Sequence, residues 1–352
     1  MRTVLAAAAA LATAIVLGAP AHAQDVQKHQ FKVVGTWNFL THWKENELPF
    51  WQKRLPEASK GQLTANVQSL NELGLKGTEL MRLMKLGLFD FVHALPIYIA
   101  EDAIMEGIDI AGVVKTFDDA RKTTDAYGAI LNARFEKHYG GKIMNYYPWP
   151  TQYLYCNFPI KSLADVKGKK VRVQGTSQGD LVEGLGAVGV TIPFGEVVPA
   201  LQRGTVDCGI TGTMPAYKAG WHEVTTHVLT LPVGFSMTFT GVSLATWNKL
   251  DAPTKALIEK EFKGDTDKWW KVIIEEASEG LACTTGTGGE CKAGKPGKLV
   301  KVEPAEADHK ALDTAMREVV LKRWAKRCGA DADCIKNWND TIGKVVNLVA
   351  AP

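Results

Sequence analysis

Two segments far apart in the chain share one pattern of hydrophobic and polar positions. The first runs from Glu79 to Asp90 and the second from Glu196 to Asp207. In each, apolar residues at positions i, i+3 and i+4 predict one buried face of a short helix. A Gly typical of the left-handed residue that ends a helix comes next. The apolar residues that follow the Gly predict a buried strand, so each segment is predicted to be a helix, a turn and a strand.

The matching offsets of the Gly and the Asp in the two segments favour two similar α/β lobes, although a single such match could arise by chance. Each segment continues into a Pro-x-Tyr sequence, at 96–98 and at 215–217. Ligands of open α/β sheets bind outside the carboxyl ends of the strands. The loops His93–Leu95 and Thr211–Thr213, which follow the two strands, are therefore predicted to form opposite walls of a pocket.

A long helical pattern begins after Asp251, which is predicted to be its N-cap, with Pro253 in the first turn. The pattern continues to about Glu279. A helix of that length would extend about 40 Å and could cross both lobes. Gly264 leaves open a break into two shorter helices.

The N-terminal region is predicted to be a cleavable secretory signal over residues 1–23. An apolar run from Val4 to Leu17 precedes the small-x-small sequence Ala21-His22-Ala23. The run is shorter than the roughly 20 residues that a transmembrane anchor needs. The mature protein is therefore expected to begin near Gln24 and to be exported to the periplasm.

Size and composition predict an ordinary globular protein with more than one core. Residues 24–352 exceed the roughly 250 residues at which single cores divide into domains. Hydrophobic residues make up 46% and charged residues 22% of the chain, and the net charge is +3. No block of Lys and Arg is interleaved with aromatic residues, so nucleic-acid binding has little support.

Four of the six cysteines form two close pairs, Cys283 with Cys291 and Cys328 with Cys334. Gly-rich loops in an oxidising compartment favour disulfides. Metal binding is the alternative, but neither pair has the C-x-x-C spacing or a neighbouring His. The other two cysteines, Cys156 and Cys208, lie in predicted strands and are interpreted as buried free thiols.

A strand around Arg172 carries the most specific signal. Alternation along the strand puts Val171 and Val173 on one side and Arg172 on the other, and a helix is predicted to start at Thr176-Ser177. The runs SLADVKGKKVRVQG, LGAVGVTIPFGEVVPALQRGTVD and NELGLKGTELMRLMKLGLFDF closely resemble sequences of the solute-binding proteins of TRAP (tripartite ATP-independent periplasmic) transporters. The resemblance extends over most of the chain after the signal.

The resemblance implies an α/β, two-lobed periplasmic-binding-protein fold, each lobe a mixed sheet flanked by helices, with a long helix bridging the lobes. Lobe I is expected to comprise 24–149 and about 236–275, and lobe II 150–235 and about 276–345. The function implied is capture of an organic carboxylate by closure of the cleft and delivery to the TRAP permease subunits, without catalysis or a cofactor. The protein is expected to be a monomer.

In this family the Arg of the matching strand forms a two-pronged salt bridge with the substrate carboxylate, which implies that role for Arg172. Gln152 occupies the position of a second Arg in sialic-acid-binding members, and Thr211 that of an Asn in other members. Because a second positive charge is missing, we expect a monocarboxylate rather than a dicarboxylate or a charged sugar acid. An aromatic acid and a 2-oxo or 2-hydroxy acid are the types considered. No acidic residue stands where some members hold a metal, so no metal is expected.

Aromatic side chains are the remaining pocket candidates. Trp37 follows the first predicted strand, which covers 31–35. Trp149 and Tyr153 flank Gln152 in sequence, and Trp221 and Phe235 follow the second repeated segment. Taken singly, each of these aromatics is more often a core residue than a ligand contact, because large aromatic side chains dominate ordinary cores.

Two other functions remain open on the sequence alone. The sequence 175–179 matches the G-x-S-x-G motif of serine hydrolases, with Ser177 as the nucleophile and His222 or His227 further along the chain. A short motif with three fixed positions arises easily by chance. The other possibility is a sensor that presents the same ligand to a signalling receptor.

Overall fold

The chain folds into two α/β lobes in a computed structural model, which describes residues 26–99 and 101–352. The predicted signal, 1–23, lies outside the described residues. The strands are β1 (His29–Gly35), β2 (Leu63–Ser69), β3 (Phe91–Ala94), β4 (Gly141–Pro148), β5 (Gln152–Cys156), β6 (Lys170–Val173), β7 (Val188–Thr191), β8 (Cys208–Gly212), β9 (His227–Leu229), β10 (Met237–Ser243) and β11 (Val300–Val302).

The helices differ widely in length. They are α1 (Leu55–Ala58), α2 (Leu80–Lys85), α3 (Ala103–Glu106), α4 (Phe117–Tyr139), α5 (Thr176–Gly184), α6 (Val197–Gln202), α7 (Thr213–Lys218), α8 (Leu244–Trp247), α9 (Ala252–Thr285), α10 (Glu306–Ala315), α11 (Lys322–Cys328), α12 (Ala332–Trp338) and α13 (Lys344–Val346). Turns of π-helix cover His42–Glu47, Phe50–Arg54, Met316–Leu321 and Asn339–Gly343, and 3₁₀ turns cover Pro96–Ile99, Gly107–Asp109, Leu163–Val166, Phe194–Glu196 and Trp221–Glu223. None of the helices in the described part of the chain is both long and apolar enough to cross a membrane.

Lobe I is built on a five-stranded sheet with the order β2-β1-β3-β10-β4. Strand β1 runs parallel to β2 and β3. Strand β10 is antiparallel to both of its neighbours, β3 and β4. Because β10 comes from much later in the chain, the sheet of lobe I closes only after the chain has passed through lobe II.

Lobe II is built on a six-stranded sheet with the order β11-β9-β5-β8-β6-β7. Strands β6, β7 and β8 are mutually parallel where they pair. Strand β5 is antiparallel to both β8 and β9. Both sheets are therefore mixed, as expected.

The two repeated segments fold as predicted. Helices α2 and α6 end close to Gly87 and Gly204, whose φ angles of 75° and 67° are left-handed. Such angles disfavour any residue with a side chain beyond Cα. Strands β3 and β8 follow, one in each lobe.

The long helix α9 is continuous through Gly264 and ends at Thr285, six residues beyond the predicted end. Asp251 caps it, since its carboxylate accepts a 2.8 Å hydrogen bond from the Thr254 N–H. The helix packs against β4 of lobe I and α7 of lobe II, so it bridges the lobes. At Gly280 a Cβ atom would lie 2.2 Å from the Met214 backbone nitrogen, so only glycine allows this approach to α7.

The C-terminal helices contact both lobes. Trp324 and Trp338 donate indole hydrogen bonds to the carbonyl oxygens of Ala103 and Gly107 in lobe I. The π-helical turn 316–321 packs against α5 of lobe II. The predicted assignment of 276–345 to lobe II therefore stays a prediction.

All six cysteines form disulfides. The pairs Cys283–Cys291 and Cys328–Cys334 are confirmed. The interpretation of Cys156 and Cys208 as free thiols is wrong. Both are buried, but the antiparallel pairing of β5 and β8 puts them directly opposite each other, with Cα atoms 4.0 Å apart.

Candidate functional site

The Arg172 side chain is held by the sheet of lobe II. It projects from β6, the strand between β7 and β8, and only 1% of the residue is exposed. Its Nε donates to the Ile192 carbonyl and one Nη to the Ile210 carbonyl, both at 2.9 Å. The backbone on both sides of β6 thereby fixes the direction of the guanidinium.

No carboxylate in the described part of the chain forms an ion pair with Arg172. Burial lowers the pKa of the guanidinium to about 10, and the opposing electrostatic influence comes from the Tyr98 hydroxyl. The group is still charged at neutral pH. A buried charge without a counter-ion is costly, so this arrangement favours an anion arriving from outside.

Aromatic rings surround the guanidinium. The Phe194 and Trp221 ring centroids lie 5.9 Å and 5.7 Å from its central carbon. Those distances are in the range of cation–π attraction. Trp221 is fully buried and also packs edge-on against Tyr155, so the rings stiffen the floor on which Arg172 rests.

A small cavity lies between the lobes. Most of its walls lie at or just beyond the carboxyl ends of strands in both sheets, where α/β sheets bind ligands, whereas Gln152 is the first residue of β5. They consist of Trp37, Leu40, Leu95, Trp149, Gln152, Gln174, Phe194, Thr211, Gly212 and Pro215. Gln174 also borders an adjoining opening, which is lined by Arg172, Tyr98 and Thr176 among others.

The apolar wall of the cavity is built from aromatic pairs. Trp37 packs edge-on against Trp149 at 6.2 Å and against Phe194 at 5.2 Å between ring centroids. Trp149 is held from behind, since its indole N–H donates to the Thr238 hydroxyl at 2.8 Å and the His42 ring lies 4.2 Å away. Residues from both lobes thus form one rigid aromatic surface.

The polar wall of the cavity is a chain of side-chain amides. Gln152 Nε2 donates to Ser236 Oγ at 2.9 Å and to Gln174 Oε1 at 3.1 Å. Gln152 Oε1 accepts from Gln178 Nε2 at 2.5 Å. Gln152 is therefore saturated by protein groups, and it positions its neighbours.

The cavity brings together four of the sequence candidates, Trp37, Trp149, Gln152 and Thr211, and Arg172 borders the adjoining opening. Tyr153 does not line the cavity, because neighbouring residues of a strand face opposite ways. Phe235 packs on Phe117 at 4.6 Å, and Trp221 supports Arg172.

His93 lies in the core of lobe I. It accepts a 2.8 Å hydrogen bond from the Trp51 indole N–H at Nε2, and its Nδ1 is 2.8 Å from the Tyr147 hydroxyl. Burial lowers the pKa of His93 to about 3. Of the predicted wall His93–Leu95, only Leu95 reaches the cavity.

Sequence reasoning did not select Gln174, Phe194, Leu40, Pro215 or Tyr98. Two of them carried a usable signal. Gln174 lies two positions after Arg172 and so shares its side of the strand. Phe194 falls in the loop after β7, next to the loop of β6, whereas Leu40 and Tyr98 are brought in only by the packing of lobe I against lobe II.

The hydrolase alternative is wrong. Ser177 is fully buried, and its hydroxyl donates to the Asp109 carbonyl at 3.1 Å. The candidate bases are engaged elsewhere: the His222 ring stacks on Tyr217, and His227 Nδ1 lies 2.8 Å from Thr226 Oγ1. The serine is a packing residue at the start of α5.

Solved structures of similar fold are solute receptors. The chain is 19% identical to an extracytoplasmic solute receptor of Bordetella pertussis that binds pyroglutamic acid, with a TM-score of 0.78 over 88% of this chain and 99% of that one. It is 17% identical to a TRAP periplasmic solute-binding protein of Desulfovibrio salexigens with bound orotic acid, with a TM-score of 0.80 over 90% of this chain and 100% of that one. It is also 17% identical to a TRAP periplasmic solute-binding protein of Sulfitobacter with bound β-D-galacturonate, with a TM-score of 0.77 over 90% of this chain and 100% of that one.

Sequence comparison gives the family. A Haemophilus influenzae protein described as uncharacterized is 26% identical over 150 residues, which are 42% of this chain and 45% of that protein. The family model of bacterial extracellular solute-binding proteins, family 7, matches residues 24–327. That family consists of non-enzymatic receptors that work with TRAP transporters, and this chain belongs to it.

Proposed function

We propose that the chain is a periplasmic receptor that captures an organic monocarboxylate between its lobes and delivers it to a TRAP permease. The observation that carries this proposal is the buried guanidinium of Arg172, which has no carboxylate partner in the described residues. The planar guanidinium can hold both oxygens of a carboxylate at once, which a Lys cannot do.

The aromatic wall supports an acid with a compact, partly apolar body. Trp37, Trp149 and Phe194 offer flat surfaces to such a body, while Gln174 and Thr211 supply polar groups. The molecules bound by the three receptors described above, pyroglutamic acid, orotic acid and galacturonate, each carry one carboxyl group. A single guanidinium at this site fits the same charge.

Contacts between the lobes support capture by closure of the cleft. Lys76 of lobe I forms a 2.8 Å ion pair with Glu196 of lobe II. Lys218 of lobe II donates to the Thr41 hydroxyl of lobe I at 2.8 Å. Both contacts join residues of different lobes, so they stabilise the arrangement in which the lobes enclose the cavity, as closure about a hinge requires.

The proposal is tested by replacing Arg172 with alanine. A thermal-shift screen of monocarboxylates, including pyroglutamate, orotate and galacturonate, first identifies an acid that binds. Removing one partner of a buried charge pair costs about 2 to 5 kcal/mol. We therefore expect Arg172→Ala to weaken binding of that acid about 30- to 4,000-fold in calorimetry.

Arg203→Ala is the matched control. Arg203 is exposed at the end of α6, and its Nε donates only to the Pro199 carbonyl of its own helix. Affinity in this variant should equal that of the wild type. Native-like affinity in a folded Arg172→Ala protein would contradict the proposed role of Arg172.

A further inference from the structure

The amide chain at the cavity ends in Gln174, which borders both the aromatic cavity and the opening at Arg172. Arg172 and Gln174 are two positions apart and so project from the same side of the backbone. In extended backbone their Cα atoms are about 7 Å apart. If the carboxyl group of a ligand binds Arg172 and its body enters the aromatic cavity, the atoms next to the carboxyl group lie beside Gln174.

One backbone N–H group determines which way round the side-chain amides of Gln178, Gln152 and Gln174 are oriented. The Gln174 backbone N–H, which can only donate, lies 2.9 Å from Gln178 Oε1. Nε2 of Gln178 must then be the atom that donates to Gln152 Oε1 at 2.5 Å. It follows that Gln152 Nε2 is the atom directed at Gln174, 3.1 Å from its Oε1.

The same Oε1 of Gln174 also accepts a 2.7 Å hydrogen bond from the Ser236 hydroxyl. The oxygen of the Gln174 amide is thus saturated, whereas its Nε2 has no partner among the described residues.

We propose that Gln174 is a specificity-determining residue whose Nε2 donates to an acceptor oxygen carried by the ligand next to its carboxyl group. The inference rests on the proposed function and names the substrate class: 2-oxo acids and acids with a comparably placed carbonyl or hydroxyl oxygen. A ligand without that oxygen leaves a donor unpaired in a closed cleft, and sites built to pair a polar group discriminate strongly against ligands that lack it.

Matched acids that differ in one oxygen test the proposal. Calorimetry is done with 4-methyl-2-oxopentanoate against 4-methylpentanoate, and with phenylpyruvate against 3-phenylpropionate. The wild type should bind at least one oxo acid about 10-fold or more tightly than its parent acid. Gln174→Met, which keeps the length of the side chain but has no N–H, should abolish that preference by weakening the oxo acid alone.

Gln68→Met is the control, since Gln68 is exposed on β2, away from the cavity. It should retain the wild-type preference. The proposal is overturned if the wild type binds no oxo acid, if it shows no preference for one, or if Gln174→Met keeps the preference. Arg172→Ala distinguishes failure of the proposed carboxylate-binding role of Arg172 from failure of the proposed specificity role of Gln174. If Arg172 does not bind the carboxylate, this variant keeps the wild-type affinity for both acids of a pair.

Discussion

A group of buried polar residues lies beneath the cavity in lobe I. Glu47 accepts hydrogen bonds from the Thr36 backbone N–H at 2.7 Å, the Thr36 hydroxyl at 2.9 Å and the Tyr147 hydroxyl at 3.0 Å. The Trp51 bond to His93 Nε2 leaves the ring proton on Nδ1, beside Tyr147. Each polar group is satisfied within the lobe, so this group of residues supports the site without lining it.

The charge state of Glu47 should make folding depend on pH. Burial raises the pKa of Glu47 to about 7, although the bonds from Thr36 and Tyr147 oppose the shift. In the unfolded chain this pKa is about 4.5, so between pH 4.5 and 7 the folded state holds a proton that the unfolded state has released. The stabilisation is complete below pH 4.5 and is lost as pH rises through 7.

Glu47 should cost the wild type up to about 3 kcal/mol of unfolding free energy as pH rises from 4.5 to 7. We expect this loss to be absent in Glu47→Gln. Urea unfolding across this range measures it as a change in slope relative to the wild type. His42 and His93, whose pKa values burial lowers to about 3, act in the opposite direction in both proteins and cancel from the comparison. Exposed Glu57→Gln should follow the wild type, and parallel curves for Glu47→Gln would contradict the assignment.

At the scale of elements, the central strands of lobe II are joined covalently. Cys156 in β5 and Cys208 in β8 close a loop with a sequence separation of 52, which contains β6 and β7 and therefore Arg172. The Cys283–Cys291 bridge, with a separation of 8, closes only a surface turn after α9. A longer closed loop restricts the unfolded chain more.

Removing the two bridges should therefore have unequal effects. We expect Cys156→Ala with Cys208→Ala to lower the unfolding free energy by about 4 kcal/mol, and Cys283→Ala with Cys291→Ala by about 2.5 kcal/mol. Chemical denaturation of the two double variants gives both values under one set of conditions. An equal or larger loss for the surface bridge would show that loop length does not govern the stabilisation.

For the molecule as a whole, Arg327 joins the two lobes from the C-terminal region. Its guanidinium lies 3.0 Å from a Glu106 carboxylate oxygen in lobe I and 2.6 Å from an Asp180 oxygen in lobe II. Glu106 is fully buried. The C-terminal helices therefore connect the lobes through charges as well as through the packing of Trp324 and Trp338.

We expect Arg327→Leu to lower the unfolding free energy by about 3 kcal/mol, because it leaves the buried Glu106 carboxylate unpaired. Arg323→Leu is the matched control on the same helix, since its side chain is 46% exposed and pairs with Asp180 and Glu183. That variant should lose less than about 1 kcal/mol. Equal losses in thermal or urea unfolding would argue against a structural link through Glu106.

Features that depend on neighbouring residues were predictable from the sequence. The paired helix, turn and strand segments, the Asp251 cap and the strand that carries Arg172 all follow from periodicity and from capping residues within a few positions. The family resemblance added the two-lobed fold and the role expected of Arg172. The strand pattern also located Trp37 and Thr211, which follow predicted strands, whereas Gln152 was selected by the family resemblance and Trp149 by its position near Gln152 in the sequence.

The sequence by itself thus determined the repeated α/β unit, the long helix and a single candidate guanidinium for an anion. Only the tertiary structure decided that Cys156 faces Cys208, that His93 turns into the core of lobe I, and that Gln174 Nε2 has no partner among the described residues. Those outcomes depend on which strands become neighbours, as when β10 enters the sheet of lobe I between β3 and β4. Local patterns do not encode that choice, because it is made by packing between segments that are distant in the chain.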